Sequence, residues 1–203
     1  MRRYTITMTR MFRTVFLVSL MAILLTNCGY NRIQELDEEV TASWAEVLNQ
    51  YKRRADLVPN LVSAVKGFAN QEKDIMKGIA DARARIGSIQ ATPELVNNPE
   101  SLKQFDQAQG QLGSALSRLL MIQENYPQLK SDQHFSDLMA QLEGTENRIT
   151  VARNRFIKST KEYNIYIRQF PAVLTAKAFG YASKATFTVE DQKTIENAPK
   201  VEF

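Results

Sequence analysis

The chain has 203 residues, enough for one domain with a sizeable core. Its 26 Lys and Arg against 22 Asp and Glu give a net charge of +4, and Arg2, Arg3, Arg10 and Arg13 account for that excess at an N-terminus free of acids. The rest of the chain is formally neutral, which excludes a basic footprint for nucleic acid, and a single cysteine excludes an internal disulfide.

Behind the four arginines lies an apolar run from Thr14 to Thr26, followed by Asn27-Cys28-Gly29. A bilayer core needs about 20 apolar residues in helical form, and this run is shorter, matching the apolar stretch of a secretory signal. Leu25-Thr26-Asn27-Cys28 resembles a bacterial lipobox, so Cys28 is the expected lipidation site, with Asn27 departing from the small residue usual before the cysteine. The alternative is a plain thiol at the end of an uncleaved transmembrane anchor. Either places the protein at a membrane, and the arginines should stay cytoplasmic, sending the body to the periplasmic or extracytoplasmic side. Residues 1–27 are thus expected to be a signal peptide or anchor, residues 28–185 the folded body, and residues 186–203 an extended tail.

From Asn31 the apolar residues step by three and four: Ile33, Leu36, Val40, Trp44, Val47 and Tyr51, continuing through Leu57, Leu61, Val65, Phe68, Ile75, Ile79, Ala82 and Ile86. This spacing places them on one helical face. Pro59 interrupts the pattern without accompanying loop chemistry, which favours a kink within one long helix over a break. Residues 87–100 are the clearest loop. Asn98-Pro99-Glu100 then predicts a helix start, with Asn98 as cap and Pro99 at the first helical position.

Leu102, Phe105, Leu112, Ala115, Leu116, Leu119 and Ile122 form the next stripe, ending near Asn125-Tyr126-Pro127. Gly110 and Gly113 within it either weaken the helix or admit a close neighbour. Ser131 is the expected cap of a last long helix carrying Phe135, Leu138, Leu142, Ile149, Ala152, Phe156, Tyr163, Ile167 and Phe170. That helix would run about 40 residues, or roughly 60 Å. Pro171 marks its boundary, Ala172–Tyr181 can form a short final helix, and the tail from Thr186 has extended character with no visible pairing partner. The expected fold is all-α, an elongated antiparallel bundle of long helices of the four-helix type.

Catalytic groups are scarce. His134 is the only histidine and reads as an exposed residue of a first helical turn, which leaves no imidazole pair and no His-rich metal site. No phosphate-binding glycine loop or nucleophile elbow is present. Asp137, Glu143 and Glu146 could supply carboxylates from one helix, but such residues more often form a solvated face. No enzyme activity, metal or cofactor is expected. More informative are Arg54, Asp56, Asn60, Glu146, Asn147 and Arg153, which border the apolar stripes and are expected to be partly buried. Buried charges require partners. The favoured role is inter-helix pairing that sets bundle alignment, and the functional alternative is a docking groove.

Several blocks in order carry a family resemblance. They are Tyr51-Lys52-Arg53-Arg54-Ala55-Asp56-Leu57-Val58-Pro59-Asn60-Leu61-Val62, Ala82-Arg83, Glu124 to Ser131, Leu142-Glu143-Gly144-Thr145-Glu146-Asn147-Arg148-Ile149, Glu162-Tyr163-Asn164, Phe170-Pro171 and Ala198-Pro199-Lys200-Val201-Glu202-Phe203. Over residues 29–203 the chain resembles the LemA family of bacterial envelope proteins. The resemblance implies a long-helix bundle on one N-terminal anchor, with no established enzymatic activity or cofactor. Relatives are encoded near membrane-associated peptidases and TPM-domain proteins, which implies an interaction or scaffold role with a protein partner in the envelope. The alternatives are a regulator or subunit of an envelope hydrolase system, and a self-associating structural spacer.

Overall fold

The computed structural model describes residues 29–66, 73–89 and 92–187, together with Arg13, Val15 and Phe16 in a helical conformation. The rest of the apolar run, Cys28, Phe68 and the tail beyond Phe187 lie outside the described residues. Among the described residues there are six α-helices and no strand: α1 Tyr30–Lys66, α2 Lys73–Ser88, α3 Pro99–Ile122, α4 Pro127–Lys130, α5 Gln133–Tyr166 and α6 Ala172–Phe179. None of these is long and apolar enough to cross a membrane.

The helical periodicity of the sequence is the burial pattern of the structure. Ile33, Leu36, Val40, Trp44, Val47 and Tyr51 form the buried face of α1, and Leu57, Leu61 and Val65 extend it. α1 continues through Pro59, which lies on its exposed side. The missing amide costs one backbone bond there, while Val58 and Leu61 on either side of the proline stay buried in the core. Asn98 caps α3 as its residue type predicts, its Oδ1 accepting from the amides of Glu100 at 3.0 Å and Ser101 at 3.1 Å.

The cap of α5 differs from the expectation. Asp132 has the extended backbone of a cap and accepts from the Phe135 amide at 2.7 Å, whereas Ser131 closes α4 and donates its hydroxyl to Gln128 O. The four-residue helix α4 uses Ser131 as its own terminus, so capping passes to the next residue. α5 is shorter than expected, at 34 residues, chiefly because it ends at Tyr166, before Ile167 and Phe170.

α1 and α5 run antiparallel along most of their length, with Ser43 facing Ser159 and Arg54 facing Glu146. α2 and α3 form a second antiparallel pair, with Arg85 of α2 bonded to Gln111 of α3. The core divides in two along this long axis. One cluster centres on Trp44, which lies 5.7 Å from the Phe105 ring, 5.2 Å from Phe156 and 6.0 Å from Phe187. The other gathers Leu57, Leu61, Val65, Ile79, Leu112, Leu116, Leu129, Phe135 and Leu142.

The loop before α3 is less open than its composition indicates. A 3-10 turn at Pro93–Asn97 buries Leu95 and Val96, and Trp44 donates to Thr92 O at 3.2 Å. Residues 181–187 fold back along the bundle without regular structure. Asn164 clamps the backbone of Lys184 in both directions, at 2.8 and 2.9 Å, and Ala185 donates to Val96 O. Of the expected extended tail only Thr186 and Phe187 are described, and Phe187 is a core residue. An aromatic ring beside Trp44 and Phe156 is worth about 1.5–3 kcal/mol out of water, which draws residues 181–187 inward.

Candidate functional site

Between the two apolar clusters lies a polar seam contributed by three helices. α1 supplies Tyr51 and Arg54, α3 supplies Asp106 and Gln109, and α5 supplies Glu146 and Arg153. Residues three or seven apart on a helix share a face, so each helix presents its two polar groups to the same side. Arg54, almost wholly buried, donates through Nη1 to Glu146 Oε1 at 3.0 Å and Oε2 at 3.2 Å, and through Nη2 to Gln109 O at 3.0 Å and to Gln109 Oε1. Its Nε has no hydrogen-bond partner among the described residues.

Farther along, Arg153 donates to Tyr51 Oη at 2.7 Å and to the Asp106 carboxylate. The guanidinium carbons of Arg54 and Arg153 also lie 5.0 Å from the Tyr51 ring and 3.8 Å from the Phe187 ring, distances at which a cation is attracted to a ring face. Burial pushes the Tyr51 hydroxyl up from its ordinary range, against the pull of Arg153. For Arg153, burial acts against the charge, but the bond to Asp106 and the contact with Tyr51 outweigh it and hold the pKa above the usual arginine value.

Such a seam contributes more to register than to stability. Each bond to a charged group is worth about 1.5–3 kcal/mol, while desolvating the ions costs a comparable amount. A slip of one helix against another would leave Arg54 buried and unanswered.

A groove of about 360 Å³ runs beside the seam, lined by Tyr51, Arg54, Asp106, Gln109, Glu146 and Arg153 together with Gly110 and Gly113. A Cβ on Gly113 would sit 3.7 Å from Arg54 Nη1, an ordinary contact, and one on Gly110 would meet nothing. The absent side chains keep the groove open. A second cavity of about 540 Å³ shares Glu146 and adds Glu143, Leu116, Met139 and Leu142. Asp137 is not among its lining residues and accepts from Gln133 instead.

The structure brings Arg54, Glu146 and Arg153 together. Asp56, Asn60 and Asn147 are exposed, which corrects their expected partial burial. Asp56 is two positions from Arg54 and Asn60 two from Val58, a rotation that turns both away from the core. Asn147 follows Glu146 by about 100°. Tyr51, Asp106 and Gln109 complete the seam and were not singled out as polar partners in the sequence. The available signal was the three-residue spacing of Tyr51 to Arg54 and of Asp106 to Gln109. His134 is exposed in the first turn of α5. Cys28 lies outside the described residues, and among those described no group of three His, Cys, Asp or Glu gathers as it would around a metal ion.

The blocks that carry the resemblance fall on this frame, Arg54 in one and Glu146 in another. A family model described as LemA family matches residues 43–203. The chain belongs to the LemA family. This LemA-family chain is also similar to the magnetosome protein MamQ of Magnetospirillum gryphiswaldense strain MSR-1, with 27% identity over 168 residues, covering 75% of this chain and 62% of MamQ. The magnetosome proteins MamQ 1 and MamQ 2 of Paramagnetospirillum magneticum strain AMB-1 are each 27% identical over 158 residues, covering 70% of this chain and 58% of theirs. The chain thus spans about three-fifths of the length of the curated relatives it matches.

Proposed function

We propose that this LemA-family chain is a membrane-tethered, non-catalytic interaction module of the bacterial cell envelope, with its helical body on the extracytoplasmic side. The observation that carries this reading is the polar seam. Its ionisable groups answer one another across three helices: Asp106 and Glu146 each hold an arginine, and Tyr51 accepts from one. A carboxylate engaged in this way aligns helices and leaves a shaped groove at the surface, which suits recognition of a protein partner better than proton transfer.

The tether rests on the sequence. The apolar run ends at Thr26, three residues before the first residue of the described body, and Cys28 follows it in a lipobox-like setting. The similarity to magnetosome proteins fits a place at a membrane.

Intact mass of the protein extracted from its native membrane tests the tether. A chain beginning at an acylated Cys28 makes it a lipoprotein, a chain beginning at Met1 makes the run an uncleaved anchor, and an unacylated chain in the soluble fraction overturns the reading. For the groove, a photo-crosslinking residue at Thr150, which lines it, should give a discrete protein adduct in membranes that is absent from the same probe at Lys158. Turnover of a substrate by the purified protein, lost in a folded Glu146→Gln variant, would overturn the non-catalytic assignment.

A further inference from the structure

One end of the bundle is unlike the rest of its surface. There α1 begins, α5 ends and α6 packs across them. α6 buries Ala172, Thr175 and Ala176, and leaves Leu174 and Phe179 more than half exposed. Phe170, just before it, is 81% exposed, and Ile165 and Tyr30 add further apolar surface. The Phe179 ring lies 5.1 Å from Tyr30, the first residue of α1, and 6.5 Å from Tyr181. Several large apolar side chains exposed together mark a contact surface in a way that scattered ones do not.

The charge of α6 and the residues flanking it in sequence has one sign. From Ile165 to Phe187 the chain carries Arg168, Lys177 and Lys184 and no acid. Of the acids that α1 brings nearby, Glu35 pairs with Arg32 at 2.7 Å and Asp37 with Lys184, while Glu38 and Glu39 are exposed farther along α1 and, with Glu162 of α5, flank the patch. Arg168 and Lys177 remain exposed beside the apolar residues.

The same end is where the tether leaves. Gly29 packs against the Tyr166 hydroxyl at the end of α5, and Cys28 and the apolar run precede it directly. Whether the anchor is a lipid on Cys28 or the run itself, a bilayer surface is held within a few residues of Phe179. An exposed patch of Phe, Leu and Tyr flanked by cations is the composition of an interfacial segment. Attachment through the neighbouring residues makes docking effectively intramolecular, so a modest intrinsic affinity suffices.

We infer that Phe170, Leu174 and Phe179 form a second membrane contact, entering the headgroup layer of an anionic bilayer beside the tether and holding the bundle at a defined orientation to the membrane. This rests on the membrane-tethered reading proposed above. It identifies the occupant of the patch as lipid, with Arg168 and Lys177 facing anionic headgroups.

The test uses the full-length chain reconstituted in phosphatidylcholine–phosphatidylglycerol vesicles, with Leu174→Trp as a depth probe and brominated acyl chains as quencher. Trp44 is buried in the core and supplies the unquenched background. Met121→Trp, exposed near the end of α3 that leads towards the start of α5, away from Tyr30 and the end of α5, is the control. Circular dichroism confirms folding, and Phe170→Trp is a second probe if the first variant is unstable. The expected result is co-flotation with vesicles, quenching at position 174 and none at 121. The docked-to-free ratio should fall about five-fold when either Arg168 or Lys177 becomes Gln, as one cation near an anionic surface is lost.

Failure to float overturns the tether and this inference with it. Flotation without quenching at 174 overturns the docking alone. A blue-shifted but unquenched Trp at 174 in a chain that sediments as a dimer assigns the patch to a second copy, and equal quenching at 121 means that the bundle lies flat. Each of these results overturns the end-on contact.

Discussion

Arg54 and Glu146 are paired but unequally placed: the arginine side chain is 4% exposed and the glutamate 43%. The cation is held inside the bundle between its two apolar clusters, while the carboxylate that answers it reaches the groove. A partner approaching the groove therefore meets Glu146 first and could compete for it.

This asymmetry predicts unequal effects of truncation. Glu146→Ala leaves a buried guanidinium with only Gln109 to receive it, and should cost about 3 kcal/mol, the lower end for breaking a buried pair, because the site is partly open. Arg54→Met combined with the same Glu146→Ala removes both charges and should recover most of that loss. Urea unfolding of the four members of the cycle checks it. Additive losses would show that the two residues do not act as a pair.

Gly29 has φ +75°, and a Cβ there would lie 2.5 Å from the Tyr166 hydroxyl. Gly29→Ala combines left-handed strain with a clash, and should destabilise by about 1–3 kcal/mol. Adding Tyr166→Phe removes the colliding oxygen, so part of the loss should return. Melting temperatures of the two variants against wild type decide this.

The capping assignment separates adjacent residues. Asp132→Ala should cost about 1 kcal/mol by removing the acceptor for the Phe135 amide. Ser131→Ala should change stability by less than about 0.5 kcal/mol. The reverse order in denaturant midpoints would return the cap to Ser131.

Phe187→Ala should cost about 3 kcal/mol, the lower end of the range for a buried phenylalanine, since the residue is 8% exposed. Hydrogen exchange at the Ala185 amide, which bonds Val96 O at 2.7 Å, should accelerate more than exchange in α5. Unchanged protection there would mean that residues 181–187 are held by Asn164 without the Phe187 ring.

Burial, assisted by the nearby Asp37 carboxylate, pushes the Tyr163 hydroxyl up to about 12 from an ordinary 10.0. The folded state therefore keeps its proton where the unfolded chain releases it. Stability from this group is complete below pH 10 and is lost as pH rises from 10 to about 12. Tyr51, also raised, acts in the same direction. Tyr163→Phe should lower stability by about 1 kcal/mol near neutrality, through its lost bond to Ala182 O. It should also flatten the alkaline decline in melting temperature, and an unchanged alkaline slope would reject the assignment.

The sequence alone determined the helical class and most of the core. Apolar residues at three- and four-residue spacing can be buried together only as a helix stripe, so Ile33 to Tyr51 and Phe135 to Tyr163 were legible before any contact was known. The Asn98 cap was legible too, because Asn-Pro-Glu is a local pattern with local causes. Arg54, Glu146 and Arg153 stood out as charges beside apolar stripes, which their burial cost makes conspicuous. Tertiary structure decided who answers them. Tyr51, Asp106 and Gln109 each lie 47 residues or more from the arginine they answer, and no local spacing encodes the register between α1, α3 and α5. Asp56, Asn60 and Asn147 stand about 100° to 200° round their helices from Arg54, Val58 and Glu146, and which of those sides meets a neighbouring helix is decided only by packing. The return of Phe187 to Trp44 likewise depends on a cavity between helices that exists only once they have packed.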